Sequence, residues 1–474
     1  MRVLVFHGYL LHGTGSNVYN ARLCAALVRA GHEVHLLCQD PDPGSLPWVD
    51  GVHATVHRPD IGRVLPVYVP DDYEGFDARP FYELTDDEVE AYIEANVAAV
   101  RAVPRCDIAL ANHLIMGPAI LARALGDDVP YAVKIHGSAL EYVVKPHPRF
   151  APWAREGLAR ARGILVGSSH TAESLWAAMG PDIIERTRVG PPGVDVVQFA
   201  PREPEAARAG VARLAAGLAD EAPAEAGDGF ARDPAAAASA LAETDGRLVV
   251  FVGKLIASKG VELLLAAWPL VLREHPDARL LIVGFGAWRD GLEQLAGCLV
   301  AGDLESARAL RAEDGRELPE LAAFLDSVDE LPPMGRVAFT GRLEHEELAE
   351  LLPAAEALVA PSTFPESFGM VAAEGAAAGA LPVVARHSGL AEVSEALAER
   401  VPAPARDWLS FAVGPTAVTE LAACLTGWLG ADDDVRAATR EAIVAVTRER
   451  WSWDGVARTV VAAAQGELDD LPRP

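Results

Sequence analysis

The run Leu248-Val-Val-Phe-Val-Gly-Lys-Leu-Ile-Ala-Ser-Lys-Gly260 leads directly into an apolar, helix-periodic stretch from Val261 to Arg273. Five consecutive apolar residues predict a strand buried on both faces, the glycine-bounded loop ends it, and the 3.6-residue repeat predicts a helix. Strand, tight loop and helix make half of a βαβ unit. Working outward, further short apolar runs at Leu280–Val283, Val337–Thr340, Ala357–Ala360 and Pro382–Ala385 continue the same alternation. The first part of the chain repeats it, with strands expected at Arg2–Phe6, Glu33–Leu37, Ile108–Ala111, Tyr131–Ile135 and Ile164–Val166, and a helix at Asn17–Ala30. Strands alternating with helices imply the α/β class and parallel, doubly wound sheets. At 474 residues the chain exceeds one core. The Pro/Gly cluster Gly190-Pro-Pro-Gly-Val-Asp195 marks a linker, so two Rossmann-like domains are expected, 1–192 and 193–448.

Three stretches depart from the alternation. Leu65 to Glu83, rich in Pro, Tyr, Asp and Phe, is expected to be a functional loop or small subdomain. Residues 201–245 are Ala-rich and acidic, the composition of a solvated helical or partly disordered insert. A second acidic insert spans about 298–330.

The net charge of −27 disfavours a nucleic-acid partner, which would need clustered Lys and Arg, and a strong electrostatic hold on anionic lipid. The five scattered cysteines show no metal-ligand spacing and are expected to be buried thiols in a reducing compartment. The N-terminus enters a strand pattern without a signal peptide, and no apolar run is long enough to span a bilayer, so a cytoplasmic location without a transmembrane segment is expected.

Chemistry concentrates where strands end. Lysine is scarce, four residues against 37 arginines, yet Lys254 and Lys259 fall in one loop after the strand at 248–252. That is the edge where open α/β sheets bind ligands, and two ammonium groups there suit a diphosphate leaving group. In Pro361-Ser-Thr-Phe-Pro-Glu-Ser-Phe-Gly-Met-Val-Ala-Ala-Glu374, Glu366 and Glu374 straddle a loop-to-helix junction whose free backbone amides attract phosphate. Two hydroxyl acceptors flanking an anion site suit a ligand that is sugar, phosphate and ribose at once. His136, in Lys134-Ile-His-Gly137, also lies at a strand end. Gly13-Thr-Gly-Ser-Asn17 opens a helix after the first strand, but Val18 stands where a dinucleotide fingerprint needs its third glycine. Asp40-Pro-Asp42 spells a carboxylate pair, and its proline-flanked setting reads as a loop; no metal is assigned.

Taken in order, these motifs resemble the retaining glycosyltransferases of family 4, with two-domain GT-B architecture. Further matches are Gly167-Ser-Ser-His170, Val283-Gly-Phe-Gly286, Phe339-Thr-Gly341, Gly379-Ala-Leu-Pro-Val383 and Ser388-Gly-Leu-Ala-Glu392. Trp451-Ser-Trp453 resembles the start of the family's terminal helix, so 449–474 is expected to cross back onto the first domain, with the two domains facing a central cleft. The resemblance implies transfer of a hexose-type sugar from a UDP-, GDP- or ADP-sugar to an acceptor hydroxyl, with retention and no other cofactor. It gives Glu374 the ribose hydroxyls, Glu366 the donor sugar, and Lys254 and Lys259 the diphosphate. The amides of Gly369, Met370 and Val371 would face sugar and phosphate, His136 the reacting carbon, and Gly15 and Ser16 the phosphates. The acceptor is not legible; Leu65–Glu83 with Asn112-His113 is expected to form its wall. A lipid acceptor would bring peripheral membrane contact. A non-catalytic nucleotide-sugar-binding protein and a nucleotide-sugar epimerase remain alternatives on the same scaffold.

Overall fold

The structure is a computed structural model and describes residues 1–12, 15–69, 75–221, 232–243 and 246–474. It divides into two compact units, one of Met1–Gly193 with Trp451–Pro474, the other of Val194–Arg450. Each is an α/β layer structure around a parallel sheet.

In the first unit the strands are β1 (Arg2–Phe6), β2 (Glu33–Leu37), β3 (Ala54–His57), β4 (Val64–Val67), β5 (Asp77–Pro80), β6 (Ile108–Asn112), β7 (Tyr131–Lys134), β8 (Gly163–Val166) and β9 (Thr187–Val189). Seven of them form one sheet in the order β3-β2-β1-β6-β7-β8-β9, all parallel. Val3 and Val5 face one core and Leu4 and Phe6 the other, as the pleat requires. The excursion at Leu65–Glu83 contributes β4 and β5, a separate parallel pair; its residues 70–74 lie outside the described residues.

The terminal helix Trp453–Gln465 belongs to this unit and closes one face of its sheet. Trp453 meets Tyr19 edge-on at 5.6 Å, and a Cβ on Gly163 would come within 2.8 Å of the Ala463 carbonyl, so only glycine lets strand and helix lie this close.

The second unit holds β10 (Arg247–Val252), β11 (Ala278–Val283), β12 (Val337–Gly341), β13 (Ala355–Ala360), β14 (Leu381–Ala385) and β15 (Ser410–Phe411), ordered β12-β11-β10-β13-β14-β15 and all parallel. The two acidic inserts are more integrated than their composition suggested. In the first, Ala207, Val211, Ala215 and Leu218 of the helix Pro204–Ala219 are buried, as are Ala237 and Leu241 of Pro234–Ala242. Residues 222–231, 244 and 245 of that insert lie outside the described residues. The second buries Leu304, Leu321, Phe324 and Leu325. All five cysteines are free, and four are buried; Cys298 is the exception to the expected burial, being half-exposed on the helix Arg289–Ala301. Among the described residues no helix is long and apolar enough to cross a membrane.

Strand order reverses direction between β1 and β6 in the first unit and between β10 and β13 in the second. Loops leaving adjacent strands to opposite faces part there, opening a crevice at their carboxyl ends. The sequence places Lys254 and Lys259 after β10, Glu366 after β13, and His7 and Asn112-His113 at the equivalent point of the first unit.

Candidate functional site

In the second unit the loop after β10 tightens into a 3₁₀ turn at Ala257–Lys259 and ends at Gly260 with φ 66°, in the left-handed region. A Cβ on Gly260 would lie 2.0 Å from the Pro361 carbonyl oxygen, so the absent side chain is what lets this loop press against the one after β13. The two are joined by the Thr363 and Phe364 amides, which donate to the Ser258 carbonyl at 3.0 and 3.3 Å. Lys259 Nζ then donates to Glu366 Oε1 in an ion pair, and Ser362 Oγ donates to the same oxygen at 2.7 Å. Burial opposes the charge on Glu366, but the Lys259 ammonium and the hydrogen bonds from Lys259 and Ser362 outweigh it and hold the carboxyl below its ordinary range.

The backbone of Glu366 is fixed as well. Its amide donates to Ser388 Oγ at 2.8 Å and its carbonyl accepts from the Gly389 amide at 2.9 Å. His387 Nε2 lies 2.7 Å from the Ser362 carbonyl and must donate to it, which leaves Nδ1 to accept from the Ser388 hydroxyl at 3.1 Å. One hydrogen-bonded circuit therefore locks the loop after β13 to the start of the helix Ser388–Ala398.

Gly369 precedes the helix Met370–Ala378 at φ 108°, and no side chain caps that helix. Its first amides have no partner within the helix, so Met370 and Val371 present N–H groups at its positive end. Glu374, on the second turn, is 4% exposed, with Oε1 3.4 Å from His345 Nε2. His345 begins the helix His345–Leu351 and packs edge-on against Phe199 at 4.9 Å. Lys254 is half-buried where the β10 loop begins.

The lysine loop is also held from behind. Trp288 donates its backbone amide to the Leu255 carbonyl at 3.0 Å and its indole N–H to the Arg311 carbonyl at 3.1 Å. Both carboxylate oxygens of Glu313 accept from the Ala257 amide, at 3.1 and 3.0 Å. Arg311 and Glu313 belong to the second acidic insert. Beneath it Glu262, 3% exposed, has its carboxyl pushed up to about 8, first by burial and then by Glu320 and Glu313.

In the first unit His136 is half-buried just beyond β7, with Nε2 2.8 Å from Asn112 Oδ1 and its ring 4.9 Å from Tyr19 and 4.8 Å from His113. Burial, then the neighbouring His113, Lys134 and His7, holds its pKa well below the usual histidine value, so the ring is neutral. Lys134, 1% exposed, donates to the Gly190 carbonyl at 2.5 Å, and burial lowers its pKa to about 7. Gly15 and Ser16 form the first turn of the helix Gly15–Arg29; Gly13 and Thr14 lie outside the described residues. Asp40 accepts from the Asp42 amide at 3.0 Å within its own proline-flanked loop and from the Leu11 amide at 2.8 Å, which ties that loop to the one after β1.

Lys259 and Glu366 thus meet directly, while Glu374 finds its partner in His345, which sequence reasoning missed. The signal available was its position, four residues beyond Gly341 at the end of β12. Ser362, His387 and Ser388 were also missed as a circuit; Ser388 was legible only as the first residue of the Ser388–Glu392 match. Among the described residues no group of three or more His, Cys, Asp or Glu is arranged to hold a metal.

Comparison with known proteins adds a frame. The profile described as "Glycosyl transferases group 1" matches residues 234–414, and "Glycosyl transferase 4-like domain" matches 14–193. Glycogen synthase of Mycobacterium tuberculosis is 28% identical over the whole of this chain and 97% of its own. D-inositol 3-phosphate glycosyltransferase of Xylanimonas cellulosilytica is 28% identical, covering 94% of this chain and 90% of its own. The crystal structure of Anabaena HepE in complex with UDP and glucose superposes with a TM-score of 0.60 at 15% identity, over 98% of this chain and 99% of that one.

Proposed function

From the premise that the chain belongs to the GT4-like glycosyltransferases of GT-B fold, we propose that it moves a hexose-type sugar from a nucleoside diphosphate sugar to an acceptor hydroxyl with retention. The observation that carries this reading is the meeting of Lys259 and Glu366 at the β10/β13 switch point, beside an uncapped helix start. In the bound state Lys259, with Lys254, neutralises the diphosphate as its charge develops, and the amides of Met370 and Val371 add the helix dipole. Glu366 accepts from a hydroxyl of the donor sugar and Glu374 from the ribose. The bond from the anomeric carbon to the diphosphate breaks, the acceptor oxygen bonds to that carbon on the same face, and its proton passes to the departing phosphate oxygen. Neither glutamate acts as a nucleophile.

A UDP-sugar donor is favoured by the Anabaena structure, which was captured with UDP and glucose, with GDP- and ADP-sugars as the other bases to test. The inositol phosphate relative supports a small polyol as one acceptor class. The reading also places the enzyme in the cytoplasm, where peripheral membrane contact would accompany a lipid acceptor. Thermal-shift screening of UDP-, GDP- and ADP-sugars, followed by assay of acceptor-dependent diphosphate release, tests it: one base should raise the melting temperature, because a ligand bound only by the native state stabilises it. No stabilisation by any of them, together with no release, would sink the proposal.

A further inference from the structure

Hydrogen-bond direction in the first unit can be followed from three backbone carbonyls to His136. His7 Nε2 lies 2.9 Å from the Leu10 carbonyl, which can only accept, so the proton of His7 is on Nε2 and its Nδ1 carries a lone pair. The second neighbour of that nitrogen, Asn17 Oδ1 at 2.9 Å, agrees. Asn20 Nδ2 donates to His7 Nδ1 at 3.0 Å and also to the Ser16 carbonyl at 2.8 Å, so its amide orientation is set twice over. Asn20 Oδ1 therefore faces Asn112, whose Nδ2 donates to it at 2.7 Å and to the Phe6 carbonyl at 3.1 Å. The remaining Asn112 atom, Oδ1, meets His136 Nε2 at 2.8 Å. An amide oxygen cannot donate, so His136 Nε2 must.

We infer that Asn112, backed by Asn20 and His7, holds His136 as the neutral imidazole protonated on Nε2, which leaves Nδ1 able only to accept and so fits it to a hydroxyl rather than to a phosphate oxygen. The surroundings agree. Lys134 spends its ammonium on the Gly190 carbonyl, and His113 and His7 are themselves neutral, with pKa values lowered by burial, His7 to about 4. The assignment of a hydroxyl to His136 rests on the proposed sugar transfer. Asn112 and Asn20 touch no reacting atom and are positioning residues.

The test reads the tautomer directly. In protein labelled with ¹⁵N-histidine, long-range N–H correlation spectra near pH 7 should show His136, identified by its loss in His136→Gln, with Nε2 protonated and Nδ1 bare. Asn112→Leu should abolish the single tautomer and lower kcat roughly tenfold or more while the donor KM stays within about threefold, the pattern of an interaction lost in the transition state. A wild-type His136 protonated on Nδ1, or charged, overturns the inference whether or not the variant folds. So does an Asn112→Leu enzyme with wild-type kcat and an altered tautomer. If the wild type transfers sugar from no nucleotide donor, it is the proposed function that fails, and the spectra still decide the tautomer.

Discussion

Replacing Glu366 by Gln should separate two things that most substitutions in a substrate site damage together. The Lys259 ammonium is committed to Glu366, and on the proposed reading a diphosphate must compete for it. Two unit charges 4 Å apart attract by roughly 4 kcal/mol at an effective dielectric of 20 and about 1 kcal/mol in water. The side chains here are 29% and 25% exposed, between those limits, and desolvation and side-chain ordering consume much of the attraction. The net worth of the pair is then about 1 kcal/mol, which corresponds to roughly a fivefold change in an affinity. Gln keeps an acceptor for Ser362 and for Lys259 while removing the charge. Isothermal titration with the free nucleoside diphosphate should therefore show Glu366→Gln binding about fivefold more tightly than wild type, a gain that shrinks at high salt. On the proposed assignment of Glu366 to the donor sugar, sugar transfer by the same variant should fall by roughly tenfold or more, since a charged acceptor is gone. Weaker diphosphate binding in the variant, or transfer at the wild-type rate, would refute the reasoning.

Two further outcomes concern stability. The pKa of Lys134 is about 7 in the fold against about 10.4 in the unfolded chain, so between those values the unfolded state binds more protons and stability rises with pH, while below 7 the burial penalty is present in full. Lys134→Met should accordingly be more stable than wild type at pH 6, by roughly 1–3 kcal/mol, and lose that advantage towards pH 10; urea midpoints at the two pH values check it, and a variant less stable at pH 6 contradicts it. Gly260→Ala should cost more than Gly31→Ala, because both sit at positive φ but only Gly260 faces a carbonyl 2.0 Å from the added carbon, while position 31 is open. Each pays about 1 kcal/mol for the left-handed backbone, and equal urea midpoints would mean the two loops part freely.

The central strands were legible because a strand buried on both faces must be continuously apolar, as Leu248-Val-Val-Phe-Val252 is. The edges were not: β3, β9 and β15 are short, mix in Thr, His, Arg and Ser, and owe their conformation to a neighbour's backbone. Lys259 and Glu366 could each be named from local pattern, but their contact spans 107 positions and exists because β10 and β13 are neighbours in the sheet. The pairing of Glu374 with His345 was hidden for the same reason. The Asn20–Asn112 chain was hidden for another: asparagine carries no periodic or charge signal, and only the directions of its hydrogen bonds reveal what it does.

Glu313 gives the second acidic insert a say in chemistry that its composition conceals. The turn carrying Lys259 has its leading amide satisfied by a side chain from a segment that any trimming of the chain to its shared motifs would discard. A shortened enzyme would keep every motif residue and lose the restraint on one of them, and a chimera that imported the lysine loop without residues 298–330 would inherit an unanchored turn. In this protein the smallest portable version of the site is therefore larger than its motifs, and, if Lys259 holds a diphosphate as proposed, variation in the insert is a route by which that grip can drift while the motif itself stays constant.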